Sequence, residues 1–418
     1  MELKRVVVTG IGAITPIGNN VDEYWSALLA GRSGAGPITQ FDASKFRTRF
    51  ACEIKNFDPT QYLDKKEARK LDRFAQLALV VSDQALADAG LNKENIDPDR
   101  VGVVFASGIG GLITFQHEVT EFAKGDGTPR FNPFFIPKMI LDIAAGHISM
   151  RHNLRGPNFA VVSACASSTH AIMDAFNLLR LGKADIILAG GSESVISEAG
   201  VGGFNAMKAM SERNDDPHTA SRPYDKDRDG FVMGEAAGCL VLETLDSALA
   251  RGARIYCEVA GAGATADAYH ITAPHPEGLG AKNVMIAALA EAGMQPDEID
   301  YINTHGTSTP IGDGAEVKAI TQVFGDHAYQ LNISATKSMT GHCLGAAGVI
   351  EAIASIKAVM HDIVPPTINH FTDDPELDPK LNFTFNTPQA RPVRAALSNT
   401  FGFGGHNACV IVKKYGGS

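Results

Sequence analysis

The sequence lacks closely spaced cysteine pairs, and this absence narrows the classes of protein to which it can belong. Its 418 residues contain six cysteines, none in a CxxC pair or in the dense spacing of a disulfide framework. Such usage is typical of reduced thiols and predicts a cytoplasmic protein. The six are Cys52, Cys165, Cys239, Cys257, Cys343 and Cys409.

An excess of positive charge is also lacking. The formal net charge is -10, which argues against non-specific binding to nucleic acid, although a local basic patch is still compatible with an acidic partner. The N-terminus passes directly into an apolar strand, and no uncharged run approaches membrane-spanning length. We therefore expect no membrane partner and no nucleic-acid partner.

The chain has the apolar content of a large globular core, with 44 % hydrophobic and 20 % charged residues. Its strands and helices alternate, which favours a layered α/β fold. Runs such as residues 101–106 are continuously apolar, as strands are when helices cover both sheet faces. Residues 113–135 are expected to be loop-rich, and 196–233 to contain no long periodic element.

The second half of the chain repeats the order of the first. A helix ends in Ala-Leu-Ala-Asp-Ala-Gly90 in one half and in Ala-Leu-Ala-Glu-Ala-Gly293 in the other. Each is followed by a strand, a glycine turn, a second strand and an apolar helix. We therefore predict an internal duplication, with an N-terminal half over 1–252 and a C-terminal half over 253–418.

An early glycine turn does not fit a dinucleotide site. Gly10 and Gly12 follow a strand, but a third glycine is missing and Pro16 interrupts the expected helix. No acidic residue closes a following strand, so we expect no nucleotide cofactor there.

Cys165 lies in Ser163-Ala-Cys-Ala-Ser-Ser168, between a predicted buried strand over 158–162 and a predicted helix over 169–181. The small neighbours leave its sulfur reachable, and a helix N-terminus favours thiolate over thiol. The alternative is a buried structural cysteine, which is the commonest role of a lone thiol. The stretch alone leaves both interpretations open.

Two histidines in the second half favour the reactive alternative. His305 ends a predicted strand in a polar loop, and His342 precedes an apolar helix. We expect the turn at Gly341–His342 to occupy the place in the second half that Cys165 occupies in the first. Each histidine alone is typical of a loop residue bonded to backbone, but together they predict a Cys–His–His site.

The residue types suit acyl chemistry. A thiolate accepts acyl groups, and two neutral imidazoles can donate hydrogen bonds to an enolate.

Lys337 is expected to set the electrostatic potential of the site, with Glu351 as its partner. The alternative is a surface lysine. A metal site is the rival use of Cys and His, but no ligand pair at helical spacing exists, so no metal is expected. The glycine-dense loop over 398–407 can turn backbone N–H groups toward an anion.

These motifs together resemble the condensing enzymes of the thiolase-like superfamily, specifically the synthase II branch of the β-ketoacyl-[acyl-carrier-protein] synthases. The resemblance rests on Ala-Cys165-Ala-Ser-Ser, His305-Gly-Thr-Ser-Thr-Pro, Lys337-Ser-Met-Thr-Gly-His342 and Gly402-Phe-Gly-Gly405, and it covers essentially the whole chain. Thiolases and the synthase III branch fit less well, since the latter has Asn in place of the second His. The non-catalytic chain-length partner of polyketide synthases lacks the cysteine.

The resemblance implies a five-layer α-β-α-β-α homodimer that elongates fatty acyl chains by decarboxylative Claisen condensation. It implies that Cys165 takes the acyl chain from the phosphopantetheine of acyl carrier protein, and that its N–H and that of Phe401 form the oxyanion hole. His305 and His342 would stabilise the enolate, Lys337 would order the site, and Phe401 would be the gating aromatic. No cofactor is implied beyond the phosphopantetheine that carries both substrates.

The remaining implied roles concern binding. Acyl-pocket and pantetheine contacts fall on Ile109, Phe204, Thr272, Thr307, Thr309 and Phe403. The basic stretch at 64–73, otherwise typical of a solvated helix face, would dock the acidic carrier through Lys65, Lys66, Arg69 and Lys70.

Two positions depart from the family pattern, and two other functions stay open. His406 stands where many relatives have Thr, and Cys343 where Leu is common. A ketosynthase of a specialised polyketide or polyene pathway, or a non-catalytic acyl-binding subunit, remains an alternative. The intact Cys–His–His–Lys set disfavours the second of these.

Overall fold

A computed structural model describes residues 3–416 of the chain. Its fourteen strands are β1 Val6–Ile14, β2 Gly36–Pro37, β3 Phe50–Ala51, β4 Val101–Ala106, β5 Asn158–Phe159, β6 Ile186–Glu193, β7 Ala236–Thr244, β8 Cys257–Ala266, β9 Tyr301–Asn303, β10 Asn332–Ser334, β11 Ile363–Val364, β12 Gln389–Ala390, β13 Ala395–Gly402 and β14 His406–Lys413.

Thirteen α-helices connect and cover these strands in the described residues. They are α1 Val21–Leu29, α2 Lys65–Ala68, α3 Arg73–Asp88, α4 Leu112–Lys124, α5 Phe135–Met139, α6 Ile143–His152, α7 Ser167–Arg180, α8 Glu198–Ala206, α9 Leu245–Ala250, α10 Leu279–Ala292, α11 Pro310–Phe324, α12 Lys337–Thr340 and α13 Ala347–His361.

The large sheet has the symmetry that the sequence repeat predicts. Its ten strands run in the order β10-β9-β13-β14-β8-β1-β7-β6-β4-β5. In the first half β4 pairs in parallel with β5 and β6, and β7 is antiparallel to β6 and β1. The second half repeats these pairings with β9, β10, β13, β14 and β8. Each half therefore contributes five strands of identical topology, while a boundary at 252/253 stays a prediction.

Helices form three layers around the two half-sheets. α7 and α13 pack on each other and on strands of both halves, in one apolar core. α3 and α6 cover the outer face of the first half-sheet, and α10 and α11 cover that of the second. The fold is thus the five-layer α-β-α-β-α arrangement, as expected. Strands β1, β6 and β7 are buried at every residue because helices lie on both faces.

Within residues 3–416, one helical stretch, Leu344–His361, is long and apolar enough to cross a membrane by length and composition alone, and 89 % of it is buried inside the fold. It includes α13, in the central layer. A core helix covered on all sides is apolar around its whole circumference for the same reason as a membrane helix.

Polar residues fix the starts of several helices. Asn20 accepts the Glu23 N–H at the start of α1, and Asp72 accepts the Phe74 N–H at the start of α3. The second oxygen of Asp72 accepts the N–H and hydroxyl of Thr114 at 3.0 and 2.6 Å, which ties α3 to α4. These caps satisfy amides that a helix leaves unpaired at its N-terminus.

Two local predictions were wrong. The segment expected to be loop-rich at 113–135 contains α4 up to Lys124. The segment 196–233, expected to have no long periodic element, contains the nine-residue helix α8. The strand predicted over 158–162 is ordered as strand only at Asn158–Phe159, because the chain then leaves the sheet edge to form the Cys165 turn. The apolar side chains Phe115, Val119 and Phe122 of α4 are about 40 % exposed, so this helix has little core contact to reveal it.

Candidate active site

Cys165 lies in a 3-10 turn, Ala164–Ala166, one turn before α7 begins. Ala164 has a φ of +51°, an uncommon conformation for a residue with a side chain. This bend turns the chain sharply from the strand into the helix. Cys165 is only 7 % exposed and lines a cavity.

The two histidines reach Cys165 from the second half. His342 Nε2 lies 3.0 Å from Cys165 Sγ, and the rings of His305 and His342 meet edge to face with centroids 5.2 Å apart. His305 follows β9 and His342 follows the short helix α12. All three side chains thus stand beyond the carboxyl ends of parallel strands, where sites form in α/β folds.

Lys337 and Glu351 form an ion pair below the histidines, and each side chain is 1 % exposed. Burial raises the pKa of Glu351 to about 7, and the neighbouring Lys337 ammonium opposes that rise. Lys337 is therefore a buried residue, and the surface alternative is excluded.

Burial controls the protonation of the three reactive side chains. It raises the pKa of Cys165 to about 12; Lys337 opposes this rise and Glu193 adds to it. Burial and the Lys337 ammonium lower the pKa of His305 and of His342 well below the usual range. These shifts favour a thiol and two neutral imidazoles. Burial thus opposes the thiolate that the helix start was expected to favour.

The backbone amide beside the sulfur belongs to Phe403, whereas the amide expected there was that of Phe401. The N–H groups of Phe403 and of Cys165 itself donate toward the sulfur. Phe401 lies within β13, paired with Asn407 of β14, and its ring contacts His305 at 5.6 Å between centroids. The turn after β13 returns through Gly404 and Gly405, both at positive φ, and so brings the later amide over the sulfur.

Most of the side chains predicted to form the site line one cavity of about 290 Å³. Its lining includes Cys165, Phe204, Thr272, His305, Thr307, Thr309, His342, Phe401 and Phe403. The Phe204 ring contacts the rings of Phe231 and Phe403, with centroids 5.3 and 6.3 Å away. Ile109 does not line this cavity; it packs against the apolar cluster that contains Cys165, Phe231 and Leu344.

The basic residues lie away from the cavity. Lys65, Lys66, Arg69 and Lys70 are exposed on and just after α2, where Asp64 caps the helix by accepting the Lys66 and Glu67 amides. The Lys70 ammonium lies 5.4 Å from the centroid of the Phe134 ring.

Three carboxyl groups at the site, of which Glu316 and Glu193 are buried, escaped the sequence-based prediction. Glu316 accepts the amides of His305 and Gly306 at 2.9 and 3.0 Å, so it fixes the loop that carries the first histidine. Asp267 accepts from Asn407 at 2.8 Å beside the cavity. Glu193 accepts five hydrogen bonds next to the Cys165 turn. The sequence signal that could have revealed Glu193 is an acidic residue at the end of an apolar strand, in Gly190-Gly-Ser-Glu193.

The two residues that depart from the family pattern differ in exposure. Cys343 is fully buried, and its thiol donates to the Thr340 carbonyl at 3.6 Å. Burial raises the pKa of Cys343 well above the usual range. His406 is exposed at the first position of β14. The site therefore has one thiol facing the cavity, that of Cys165.

No three His, Cys, Asp or Glu side chains within residues 3–416 are arranged to hold a metal ion. The expectation that the chain needs neither metal nor cofactor stays a prediction.

Two family models match the chain: the N-terminal domain of beta-ketoacyl synthase over residues 3–248, and the C-terminal domain over 256–371. The chain belongs to the beta-ketoacyl synthase family. It is 51 % identical over 415 residues to a 3-oxoacyl-[acyl-carrier-protein] synthase 2 of Synechocystis, covering 99 % of both chains. It is 48 % identical over 412 residues to that of Staphylococcus aureus, again covering 99 % of each. The resemblance read from the motifs is thereby confirmed.

Solved structures of this family share the fold. The ishigamide ketosynthase/chain length factor matches with a TM-score of 0.92 and 35 % identity, covering 99 % of this chain and all of that one. A type II polyketide ketosynthase, solved in complex with its acyl-carrier protein and bound to the hexaketide, matches with a TM-score of 0.90 and 30 % identity over the same shares.

Proposed function

We propose that this chain is a 3-oxoacyl-[acyl-carrier-protein] synthase that elongates fatty acyl chains. Cys165 takes an acyl group from acyl carrier protein, and the acyl-enzyme then condenses with malonyl-[acyl-carrier-protein]. The observation that carries the proposal is the 3.0 Å contact between Cys165 Sγ and His342 Nε2, at a largely apolar cavity that His305 also lines.

Acyl transfer begins with the removal of the thiol proton. Neutral His342 can accept it at Nε2, and the sulfur then attacks the thioester carbonyl. The N–H groups of Cys165 and Phe403, which lie at the sulfur, would stabilise the carbonyl oxygen as it becomes negative. Collapse of the tetrahedral intermediate expels the pantetheine thiolate, which takes up the proton. One thioester replaces another, so the step needs no external energy source.

Condensation uses the histidines as hydrogen-bond donors. N–H groups of His305 and His342 stabilise the enolate that forms when malonyl thioester loses CO₂. The enolate carbon attacks the acyl carbonyl on Cys165, and the Cys165 sulfur leaves and regains a proton. Because Lys337 helps to lower the pKa of both histidines, they stay neutral and do not trap the carboxylate as an ion pair.

Lys337 and Glu351 act as positioning residues. Their ion pair is buried, so loss of either partner leaves an uncompensated charge beneath the histidines. The pair thereby holds the positive potential at a fixed place relative to His305 and His342.

The predicted binding residues divide between the two ends of the substrate. Phe204 and Ile109 belong to the apolar cluster around Cys165 and would contact the acyl chain. Thr272, Thr307 and Thr309 supply hydroxyl groups for the amides of the pantetheine arm. Phe403 takes the gating role first assigned to Phe401, because it lies in the glycine turn beside the sulfur.

The carrier protein would dock on Lys65, Lys66, Arg69 and Lys70. Their exposed positive charge complements an acidic partner despite the negative total of the chain. The related polyketide ketosynthase, solved with its acyl-carrier protein, supports a carrier partner of this kind.

A homodimer is supported by the free edge of the sheet. β5 is the terminal strand of the ten-stranded order, and Phe159 and Val162 beside it are 38 % and 57 % exposed. An unpaired edge with exposed apolar side chains is suited to pairing with a second copy. We place the enzyme in the cytoplasm, where its thiols stay reduced.

Mass spectrometry after incubation with acyl-[acyl-carrier-protein] tests the proposal. The expected result is one acyl adduct on Cys165 and none in Cys165→Ala. No adduct, or an equal adduct in the variant, overturns it. The alternative is a ketosynthase of a polyketide pathway, the class to which two structural neighbours belong. Turnover measured with a series of acyl carriers of increasing chain length distinguishes the two functions. Turnover of polyketide intermediates but not saturated acyl carriers would select that alternative.

A further inference from the structure

Glu193 is a buried carboxylate with no ion-pair partner among the residues the structure describes. It ends β6, is 0 % exposed, and accepts five hydrogen bonds. Oε1 accepts from Ser107 Oγ at 2.9 Å and from the Ile109 and Gly110 amides at 3.1 and 3.3 Å. Oε2 accepts from the Gly108 amide at 2.7 Å and the Gly345 amide at 3.0 Å.

The donor set identifies the group as an ionised carboxylate. Four of the five donors are backbone N–H groups, which cannot accept a hydrogen bond from a protonated carboxyl group. Burial raises the pKa of Glu193, and these hydrogen bonds oppose the rise. A buried charge without a cation is costly, so the contacts must be maintained for the fold to keep it.

The carboxylate joins three backbone segments at the active site. A Cβ built on Gly108 would lie 2.7 Å from Glu193 Oε2 and 3.2 Å from the Ala164 carbonyl oxygen. A Cβ on Gly345 would lie 2.3 Å from Gly108 N. The Ser107–Gly110 turn, the Cys165 turn and the Gly345 turn are therefore in backbone contact around one side chain.

These segments carry side chains of the apolar cluster around Cys165, which under the proposed function forms a wall of the acyl pocket. Ile109 lies in the first turn, and Leu344 precedes Gly345; both pack in the cluster that contains Cys165. Val195 and Ile196, which directly follow the β6 end, belong to the same cluster. Displacement of the Glu193 contacts would move this wall without removing any group that touches the reacting atoms.

We propose that Glu193 is a positioning residue that fixes the Ser107–Gly110 turn, and with it the Ile109 wall of the acyl pocket, against the nucleophile turn. The inference rests on the proposed function, because the wall matters only if an acyl chain is loaded on Cys165. Long chains would depend on Glu193 more than short ones, since a short acyl group ends close to the sulfur.

Glu193→Gln is the principal test, with acylation of Cys165 by palmitoyl- and butyryl-[acyl-carrier-protein] as one readout. We expect the palmitoyl-to-butyryl rate ratio to fall about tenfold, since a small misplacement of a binding wall has effects of this order. The second readout is alkylation of Cys165 by iodoacetamide at fixed pH. We expect it to accelerate roughly tenfold, because the variant removes a negative charge that opposes thiolate formation at a sulfur also flanked by Lys337 and His342.

Two further variants make the test decisive. Glu243→Gln is the control for loss of a buried carboxylate: Glu243 is equally buried, but it is ion-paired with Arg251 and lies opposite Ile186, at the other end of β6. It should change neither readout. Ser107→Ala removes one donor and keeps the charge, so the rate ratio should fall about twofold with alkylation unchanged.

An unchanged rate ratio in both Glu193→Gln and Ser107→Ala overturns the inference. If Glu193→Gln does not fold, Ser107→Ala alone decides. Absence of any acyl adduct in the wild type would instead refute the proposed function, and the alkylation rates would still report whether Glu193 acts on Cys165.

Discussion

The Ala164–Ala166 turn of the first half and the Leu344–Ala346 turn of the second have the same backbone and opposite roles. Ala164 has a φ of +51° and Leu344 a φ of +47°, and each opens a 3-10 turn that runs into a central helix. In the first half the middle residue is Cys165, with its sulfur at the cavity. In the second it is Gly345, with its amide on Glu193.

This comparison corrects the predicted equivalence of Cys165 with His342. The structural counterpart of Cys165 is Gly345, and His342 lies three residues earlier, outside the turn. The two halves therefore contain equivalent turns, of which the first carries a thiol. The second has glycine at the equivalent position and donates a backbone amide to Glu193, while the chain before it supplies the histidine.

Buried carboxyl groups show a second contrast of this kind. Each half has one that holds the turn after its parallel strand: Glu193 binds the turn after β4, and Glu316 binds the turn after β9. The first turn carries Ile109, which packs against the apolar cluster around Cys165, and the second carries His305, a catalytic candidate. Under the proposed function, the same kind of support serves binding in one half and chemistry in the other.

Removal of His342 should have the largest effect, because this side chain connects the halves. In His342→Ala both Cys165 acylation and malonyl decarboxylation should fall by about a hundredfold or more, since one imidazole serves as base and as donor. Stopped-flow acylation and CO₂ release measure the two steps. Wild-type rates in either step would remove His342 from that step.

The two equivalent turns should respond oppositely to a methyl side chain. In Gly345→Ala the new Cβ would lie 2.3 Å from Gly108 N, and we expect the free energy of unfolding to drop by about 1–3 kcal/mol. Cys165→Ala places a methyl in the equivalent turn, which already accommodates a Cβ, and should change stability far less. Urea unfolding measures both, with Gly146→Ala as control because no atom lies within 4 Å of its added Cβ. Equal losses at 165 and 345 would contradict the account.

The support of His305 should be sensitive to pH. Burial raises the pKa of Glu316 to about 7, so between about pH 4.5 and 7 the folded chain retains a proton that the unfolded chain has released. The stability this group contributes is complete below that window and is lost as pH rises through it. We expect the stability difference between wild type and Glu316→Gln to shrink by about 1–2 kcal/mol from pH 5 to pH 8. A difference that does not change with pH would refute this.

Much of the fold could be predicted because strand and helix periods reflect burial directly. The apolar run at 101–106 became β4 with the same bounds, and the repeat of Gly90 and Gly293 revealed the duplication. Helix α4 was not predicted because few of its residues are buried, so its apolar residues do not mark a side that faces the core.

The site was predicted in its residue types but not in its backbone geometry. The motifs named Cys165, His305 and His342, because these side chains perform chemistry that few others can. Which of Phe401 and Phe403 presents its amide depends on a turn with two positive-φ glycines, and sequence alone does not determine its course. The structural equivalence of Cys165 and Gly345 could not be predicted either. The positive-φ residues before them are Ala164 and Leu344, residue types that do not indicate such a backbone conformation.

The smallest expected effect concerns a surface present on one half only. The segment before α3 carries Lys65, Arg69 and Lys70, whereas the 268–278 segment before α10 has no lysine or arginine. Reversal of those three charges should raise the KM for carrier substrates roughly tenfold and weaken its salt dependence, with kcat little changed. The same reversal at exposed Lys93, Lys183 and Lys380 is the control. Equal KM values in the two triple variants would show that α2 is a solvent-exposed helix face with no role in carrier docking.

The central claim is that the halves divide the reaction, with the acyl group held by the first and decarboxylation driven by the second. It is tested most directly by measuring the acyl adduct and CO₂ release in Cys165→Ala and His305→Ala side by side. We predict that Cys165→Ala forms no adduct and still releases CO₂ from malonyl-[acyl-carrier-protein]. His305→Ala should form the adduct and release almost none. Loss of both activities in both folded variants would contradict the division.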